Sequence, residues 1–215
     1  MELVEKYLHG KFAEWGIRFI AVVDHVDTQD RAGKKARQIN GLINEWYLED
    51  LSDNVRSVLT HKRWQGDYIA TYALYGYRKD PADHRRLLPD PAAAAVVRRI
   101  FALYLQGYGT ARIAQALNRE GIPPPSVYRR QHGGPARPGT GQWSRATLHQ
   151  MLTNRTYVGD LEQGRRRKVS YKSAKSVRLP RAQWIIVPGT HEGLVSRADF
   201  DAVQRQLARR GRGRR

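Results

Sequence analysis

The hydrophobic positions change period several times along this chain, and each change marks an element. Leu3, Val4, Tyr7, Leu8, Phe12 and Trp15 recur at helical spacing and stop at Gly16, a residue suited to a left-handed helix end. The next run, Gly16-Ile17-Arg18-Phe19-Ile20-Ala21-Val22-Val23, is nearly continuous and apolar, which predicts a strand covered on both faces in a mixed or parallel sheet. A polar connection follows from Asp24 to about Lys34. From about Ala36 to Trp64 neither Gly nor Pro intervenes after Gly41, so a long helix is predicted. Its apolar stripe moves. Ile39, Leu42, Ile43 and Trp46 share one face, and Leu51, Val55, Val58 and Leu59 share another, rotated by more than about 90°. The two halves need different partners, through a kink near Glu49-Asp50 with Ser52 as a local cap, or through a straight helix that leaves its own domain. Either form reads as a core or dimerisation helix.

Beyond Tyr75-Gly76-Tyr77-Arg78-Lys79-Asp80-Pro81, a linker is expected to end at Pro89-Asp90-Pro91, with Asp90 as N-cap and Pro91 as the first helical residue. Val96, Val97, Ile100, Leu103 and Tyr104 give that helix its buried face, and Arg98 and Arg99 point outward, until Gly107-Tyr108-Gly109 breaks it. Thr110 is expected to cap a second helix, Ala111 to Glu120, with Ile113, Ala114 and Leu117 inward and Gly121 past its end. Helix, glycine turn and short helix resemble the opening of a helix-turn-helix unit. The proline-rich piece from Pro123 to Gly141 is expected to be a flexible basic loop without regular structure. Ser144 then caps a third helix with Leu148, Met151 and Leu152 on one face. Thr156 to Leu161 predicts a strand, with Trp184-Ile185-Ile186-Val187 as its candidate partner, and Ser196 caps a last helix through Phe200, Val203 and Leu207. The fold class is α+β and mainly helical, with a small β element. Its divisions are expected at 1–66, a linker at 67–90, a domain at 91–208 and a disordered basic tail at 209–215.

Charge adds a partner to this picture. The 215 residues carry 38 Lys+Arg against 20 Asp+Glu, a formal charge of +18. Residues 1–66 hold 10 cations and 10 anions, whereas residues 67–215 hold 28 and 10, so the whole excess belongs to the second segment. A long polyanion matches such a distribution, because each phosphate neutralised by Lys or Arg releases condensed counterion. A merely well-solvated basic surface is the alternative, but the excess is larger than solubility needs. With no Cys there is no disulfide framework, thiolate zinc site or cysteine nucleophile. No run reaches the ~18 apolar residues of a membrane span, and Met1-Glu2-Leu3-Val4-Glu5 is acidic where a signal peptide is basic, so a cytoplasmic location without membrane contact is expected. Neither a cofactor nor a metal site is expected.

The third helix carries the candidate readers. Gln150 and Thr153 project away from its apolar face, flanked by Thr147 and His149, with Arg145 near its positive end. Polar side chains of this kind can read base edges while cations meet phosphates, which is the arrangement of a recognition helix; an ordinary amphipathic surface helix is the competing reading. Between the two candidate strands, Arg165, Arg166, Arg167, Lys168, Tyr171, Lys172, Lys175 and Arg178 form a dense basic stretch suited to the sugar-phosphate backbone.

These residues fall into an order. Tyr75-Gly76-Tyr77-Arg78, Leu88-Pro89-Asp90-Pro91, Val97-Arg98-Arg99-Ile100-Phe101, Gly109-Thr110 with Ile113 and Leu117-Asn118, Gly121-Ile122-Pro123, Trp143-Ser144, Leu152-Thr153-Asn154 and Tyr157-Val158-Gly159 together resemble the recombinase domain of large serine recombinases. The resemblance continues through His191-Glu192 and Phe200, and residues 1–66 look like the end of a resolvase-type catalytic domain with its long exit helix. It implies that the exit helix crosses toward the minor groove. It further implies that the linker with Arg78, Lys79, Arg85 and Arg86 tracks the backbone and that the third helix enters the major groove. In that family a serine attacks a DNA phosphodiester while arginines match the developing phosphoryl charge. Here no Ser precedes Ser52, and neither a Tyr-x-Arg-x-Ser stretch nor an Asp-Arg-x-x-Arg cluster occurs, so no catalytic residue is assigned and Ser52 and Arg56 are read as structural. A chain truncated at both ends is the expectation. Thr71-Tyr72-Ala73-Leu74 departs from the Ala-Pro-Tyr entry common in the family.

The expected function is a double-stranded-DNA-binding fragment of a site-specific serine recombinase, with a homo-oligomer through the long helix as a further expectation. The alternatives are a non-enzymatic sequence-specific regulator and a split recombinase complemented by a separate catalytic chain.

Overall fold

The computed structural model of the chain describes residues 6–22, 26–27, 31–135 and 140–212. Leu3, Val4, Val23, most of the connection after Asp24, and Gly213 to Arg215 lie outside the described residues. The chain divides into two compact units, residues 1–58 and 59–215.

In the first unit a π-helical turn, Lys6–Lys11, runs into helix α1 (Phe12–Glu14). It ends as the glycine demands: Gly16 has φ 68°, and the N–H groups of Gly16 and Ile17 donate to the carbonyls of Ala13 (3.2 Å) and Phe12 (2.8 Å). The run after Gly16 departs from expectation. Only β1 (Ile20–Ala21) is strand, paired antiparallel with β2 (Val26–Asp27), and Ile17, Phe19, Ile20 and Val22 are exposed. A strand covered on both faces needs neighbours, and the described residues of this unit supply one two-residue partner. Helix α2 (Arg31–Trp64) is 34 residues, about 51 Å at 1.5 Å per residue, and continues through Glu49-Asp50, so Ser52 is interior to it and no cap. Ile39, Leu42, Ile43, Trp46, Leu51, Val55 and Val58 remain exposed on it, and no described residue before Tyr75 is buried.

The second unit has a core. The 67–90 span contributes to it: β3 (Tyr77–Lys79) and β4 (Leu87–Pro89) form an antiparallel pair, and Tyr75, Tyr77 and Leu87 are buried. Then come α3 (Pro91–Leu105), α4 (Thr110–Arg119), α5 (Pro125–Gln131), α6 (Arg145–Leu152) and, after the β elements, α7 (Arg197–Arg212). Helix α3 packs on α4 and α7, and α6 packs on α4 and α7. Their shared interior is built from Val97, Ile100, Phe101, Tyr104, Ile113, Leu117, Leu148, Leu152, Phe200 and Val203, as the 3.6-residue spacing requires. Among the described residues all sheets are two-stranded: β5 (Leu161–Gln163) pairs with β8 (Ile185–Val187), and β6 (Arg166–Lys168) with β7 (Ser176–Arg178), each antiparallel.

Several expectations are corrected in detail. The 123–141 piece contains α5, because Pro124 and Pro125 preset the backbone of its first turn and Tyr128 anchors it, donating from its hydroxyl to Asp90 Oδ2 at 2.6 Å. Asp90 flanks α3 as expected but spends that oxygen on Tyr128 and caps no helix N–H. Gly109 is the N-cap of α4, and Thr110 is its first helical residue. Residues 155–158 form a 3₁₀ turn where a strand is predicted, since Asn154 Oδ1 accepts the Thr156 N–H (3.1 Å) and starts a turn. The arginine-rich end from Arg209 continues α7 as far as Arg212. Arg98 and Arg99 are exposed yet engaged, Arg98 with the Leu194 carbonyl (3.3 Å) and Arg99 with Glu120.

Three buried tyrosines tie the distant segments together. Tyr157 donates to the Tyr75 carbonyl at 3.0 Å, and the Tyr77 hydroxyl lies 3.0 and 3.1 Å from the carbonyls of Thr156 and Glu192. Burial raises the pKa of all three, which keeps them neutral donors. Gly76 has to be glycine here: at φ 96°, a Cβ would stand 2.8 Å from Leu194 Cδ1 and 2.9 Å from Val97 Cγ2.

Candidate nucleic-acid interface

Helix α6 is held at both ends by other elements. At its start, Ser144 caps it by accepting the Thr147 N–H (3.1 Å), and Trp143 just before is buried. The Asn118 side-chain amide on α4 brackets the Trp143 backbone, and the Trp143 indole donates to the Ile122 carbonyl at 2.8 Å. At its end, Gln204 of α7 donates to the Leu152 carbonyl at 2.7 Å, satisfying one of the helix's orphan acceptors. Leu148, Met151 and Leu152 face the core.

The opposite arc follows from ~100° per residue: Arg145, His149, Thr153, Ala146 and Gln150 succeed one another around about 140° of exposed surface. Within that arc the side chains differ in freedom. Thr147 on the flank bonds the Ser144 hydroxyl (3.0 Å), and the Thr153 hydroxyl donates back to the His149 carbonyl (2.9 Å) as part of the helix end. Among the described residues, His149, Gln150 and Arg145 make no such side-chain bonds, and Arg145 occupies the first helical position, where the helix dipole disfavours a cation.

The basic stretch forms a second surface joined to the first. Strands β6 and β7 set Arg166 opposite Arg178, Arg167 opposite Val177 and Lys168 opposite Ser176, and Arg166, Arg167 and Lys168 are all exposed. The Arg166–Arg178 pair sets like charges opposite each other, which is destabilising in a strand pair. Its base is anchored by Trp184, which lies under the guanidinium groups of Arg165 (5.3 Å) and Arg178 (5.6 Å) and donates to the Leu179 carbonyl. Arg165 is committed inward: it pairs with the buried Glu162 (3.1 Å) and donates to Asn154 Oδ1 (3.1 Å), directly after α6. The Arg165–Asn154 bond therefore joins the hairpin to the end of the helix. Lys172 sits beyond the hairpin strands, its ammonium 5.5 Å from the Tyr171 ring.

The third cationic group lies on the β3–β4 hairpin. Arg78 is exposed on β3, and Lys79 lies over the Tyr68 ring at 5.8 Å. Arg85 is bound by Asp83 (2.8 Å) and stands 3.8 Å from Asp67, and Arg86 is 3.6 Å from Asp83. The guanidinium of Arg85 holds the Asp83 carboxyl below the usual carboxylate range. A phosphate at Arg85 would have to displace a carboxylate; at Arg78 it would not. Asn118 and Trp184 stand in the sequence as a motif residue and a strand residue, and neither they nor Gln204 show their positioning roles there, because the two amides act on contacts 25 and 52 residues away. No group of acidic, His or Cys residues suited to a metal occurs among the described residues. No helix of the described residues is long and apolar enough to cross a membrane.

A helical domain with a capped, polar-faced short helix beside a basic hairpin is the class of module this geometry defines. Residues 91–210, more than half of the chain, match the family model described as Recombinase, and the chain belongs to that family. The resemblance read from the Tyr75 to Phe200 motifs is borne out at this level. Two solved structures are similar at low identity: an LSR–DNA complex (20% identity, TM-score 0.42, covering 73% of this chain and 38% of that one), and a structure on the sequence requirements of the Listeria innocua prophage attP site (20%, 0.42, 72% and 52%). The chain thus spans about half or less of the length of these two. No curated protein sequence matches it.

Proposed function

We propose that this chain is the DNA-binding region of a site-specific serine recombinase, with α6 reading base edges in the major groove and the β6–β7 hairpin and β3 gripping phosphates. The observation that carries this is the joining of the exposed Arg145–His149–Gln150 arc to an exposed cationic hairpin through Arg165 and Asn154, in a chain of the Recombinase family. In this reading α3, α4 and α6 act as a helix-turn-helix with an insertion, and α2 is the exit helix of a catalytic domain whose nucleophile is not among these residues. Ser52 and Arg56 lie within α2, and Arg56 pairs with Asp53, which supports a structural role for both.

The reading is tested by footprinting on attachment-site DNA and by two variants. Gln150→Ala is expected to relax sequence preference, each lost base contact being worth about 1–3 kcal/mol of discrimination. Replacing Arg166 and Arg167 by Gln is expected to weaken binding to every duplex alike. Equal loss on all DNA from both changes would contradict the proposal, as would equal binding to many unrelated sequences, which is the behaviour of a general nucleic-acid-binding regulator.

A further inference from the structure

Beside β3 the second unit carries a cleft of about 260 Å³ that the recognition helix does not use. That volume lies just below the ~300–1,000 Å³ of ordinary ligand sites, so the cleft suits a small guest. Tyr72, Tyr128 and His132 supply rings to its wall, and Arg78, Lys79 and Arg129 supply cations. The cations are not neutralised within the protein: among the described residues none of the three forms an ion pair, and the one carboxylate lining the cleft, Asp90, accepts the Tyr128 hydroxyl.

The walls are set before any ligand arrives. Tyr68 donates to the Tyr72 carbonyl at 2.7 Å, fixing the segment that carries the Tyr72 ring, and Arg129 lies over that ring at 5.6 Å. Tyr128 is stacked on His132 at 4.2 Å and meets Tyr75 edge-on at 5.2 Å. Burial pushes the Tyr68 hydroxyl up to about 12, so that it stays a donor. The exposed rings, Tyr72 and His132, are the ones a planar guest can reach, and Arg78, Lys79 and Arg129 line the same cleft.

From these observations we infer that the cleft is a nucleotide site, in which the aromatic side chains stack on one unpaired base and Arg78, Lys79 and Arg129 bind its phosphate. A flat apolar guest alone would leave three cations without a counter-charge, and a bare phosphate would leave the aromatic wall unfilled. Base-on-aromatic stacking with flanking cations is the physical recipe for unpaired nucleic acid. The nucleotide comes either free or as an unstacked residue of a strand; the second source rests on the DNA-binding reading above, and the first does not.

The test uses the full chain, Tyr72→Leu, and Arg129→Gln, with folding checked by circular dichroism. Binding of dAMP is followed by tyrosine fluorescence and compared with deoxyribose 5-phosphate and with deoxyadenosine. The expected result is that dAMP binds at least about tenfold more tightly than either half, and that both variants lose that advantage. A second arm compares a fully paired duplex with the same duplex carrying one bulged adenosine. Preference for the bulge, lost in both variants while affinity for paired duplex persists, assigns the site to a strand residue; dAMP binding without such preference assigns it to the free nucleotide. Failure of both dAMP and the bulge to bind better than their controls overturns the inference. Loss of paired-duplex binding in the unaltered chain, with dAMP still bound, would overturn the DNA reading and leave this one standing.

Discussion

The side-chain amide of Asn118 and the backbone of Trp143 hold each other in both directions: Oδ1 accepts the Trp143 N–H at 2.8 Å and Nδ2 donates to the Trp143 carbonyl at 3.1 Å. The pair substitutes for a strand ladder at the point where an irregular segment must be aimed into α6. Replacing Asn118 by Ala is expected to leave both Trp143 groups without that partner and to cost about 2 kcal/mol, read as a lower urea midpoint. Asn118→Asp keeps the acceptor and is expected to fall between. Both variants are also expected to blur sequence preference, because the helix start is no longer aimed.

Arg145 separates function from stability. A cation at the first turn of α6 opposes the helix dipole, so Arg145→Glu is expected to stabilise the fold by about 0.3–1 kcal/mol in thermal or urea unfolding. On the proposed function the same change weakens duplex binding. Opposite signs in the two measurements distinguish a side chain kept for a ligand from one kept for the fold.

Salt dependence reads the hairpin. Neutralising Arg166, Arg167 and Lys168 one at a time is expected to lower the slope of log affinity against log salt by about 0.9 for each cation that meets a phosphate. Arg165, committed to Glu162 and Asn154, is expected to act differently: its removal unpairs a buried carboxylate and shows first as lost stability.

Acid should weaken the second unit through His191. Its Nε2 lies 2.8 Å from the Thr156 carbonyl and its Nδ1 2.8 Å from the Thr190 hydroxyl, and burial lowers its pKa below 6.5. The native state therefore prefers neutral imidazole. As pH falls below about 6.5 the unfolded chain takes up a proton that the folded one refuses, so stability drops until the native midpoint is passed. Urea midpoints between about pH 7.5 and 5 are expected to fall in the unaltered chain and to flatten in His191→Gln, and the His191 ring resonances should titrate below 6.5.

Two glycines give an internal control on packing. Gly159 has φ 89°, and a Cβ there would stand 2.6 Å from the His191 carbonyl oxygen, so Gly159→Ala is expected to cost more than about 2 kcal/mol. Gly107 has φ 96° with nothing within 4 Å, so Gly107→Ala is expected to cost about 1 kcal/mol, the conformational part alone. Chemical denaturation of the pair measures the difference.

Much of the helical content was legible in the sequence because its signals are local. The spacing of Val97, Ile100 and Tyr104, the Ser144 cap and the glycines after α1 and α4 act over one or two turns of chain, and the same physics forms them in the folded protein. Where a local signal required a distant partner, reading failed. The apolar run after Gly16 looked like a covered strand because nothing in the run states what covers it, and the prolines at 123–125 looked like a loop because Asp90, 38 residues from Tyr128, was needed to stabilise a helix there.

By itself the sequence determined the helical character of the second segment, its surplus of cations and its kinship with the Recombinase family. Those are properties of residue identity and order. Only the tertiary structure decided which cations are spent, as at Arg85, Arg99 and Arg165, and which remain exposed beside α6 and on β6. It also decided that α6 is aimed by Asn118 and Gln204 and that aromatic rings and cations meet in one cleft beside β3. The reason is physical: a charge or ring gains its role from whatever stands within a few ångströms of it, and chain order does not specify those neighbours.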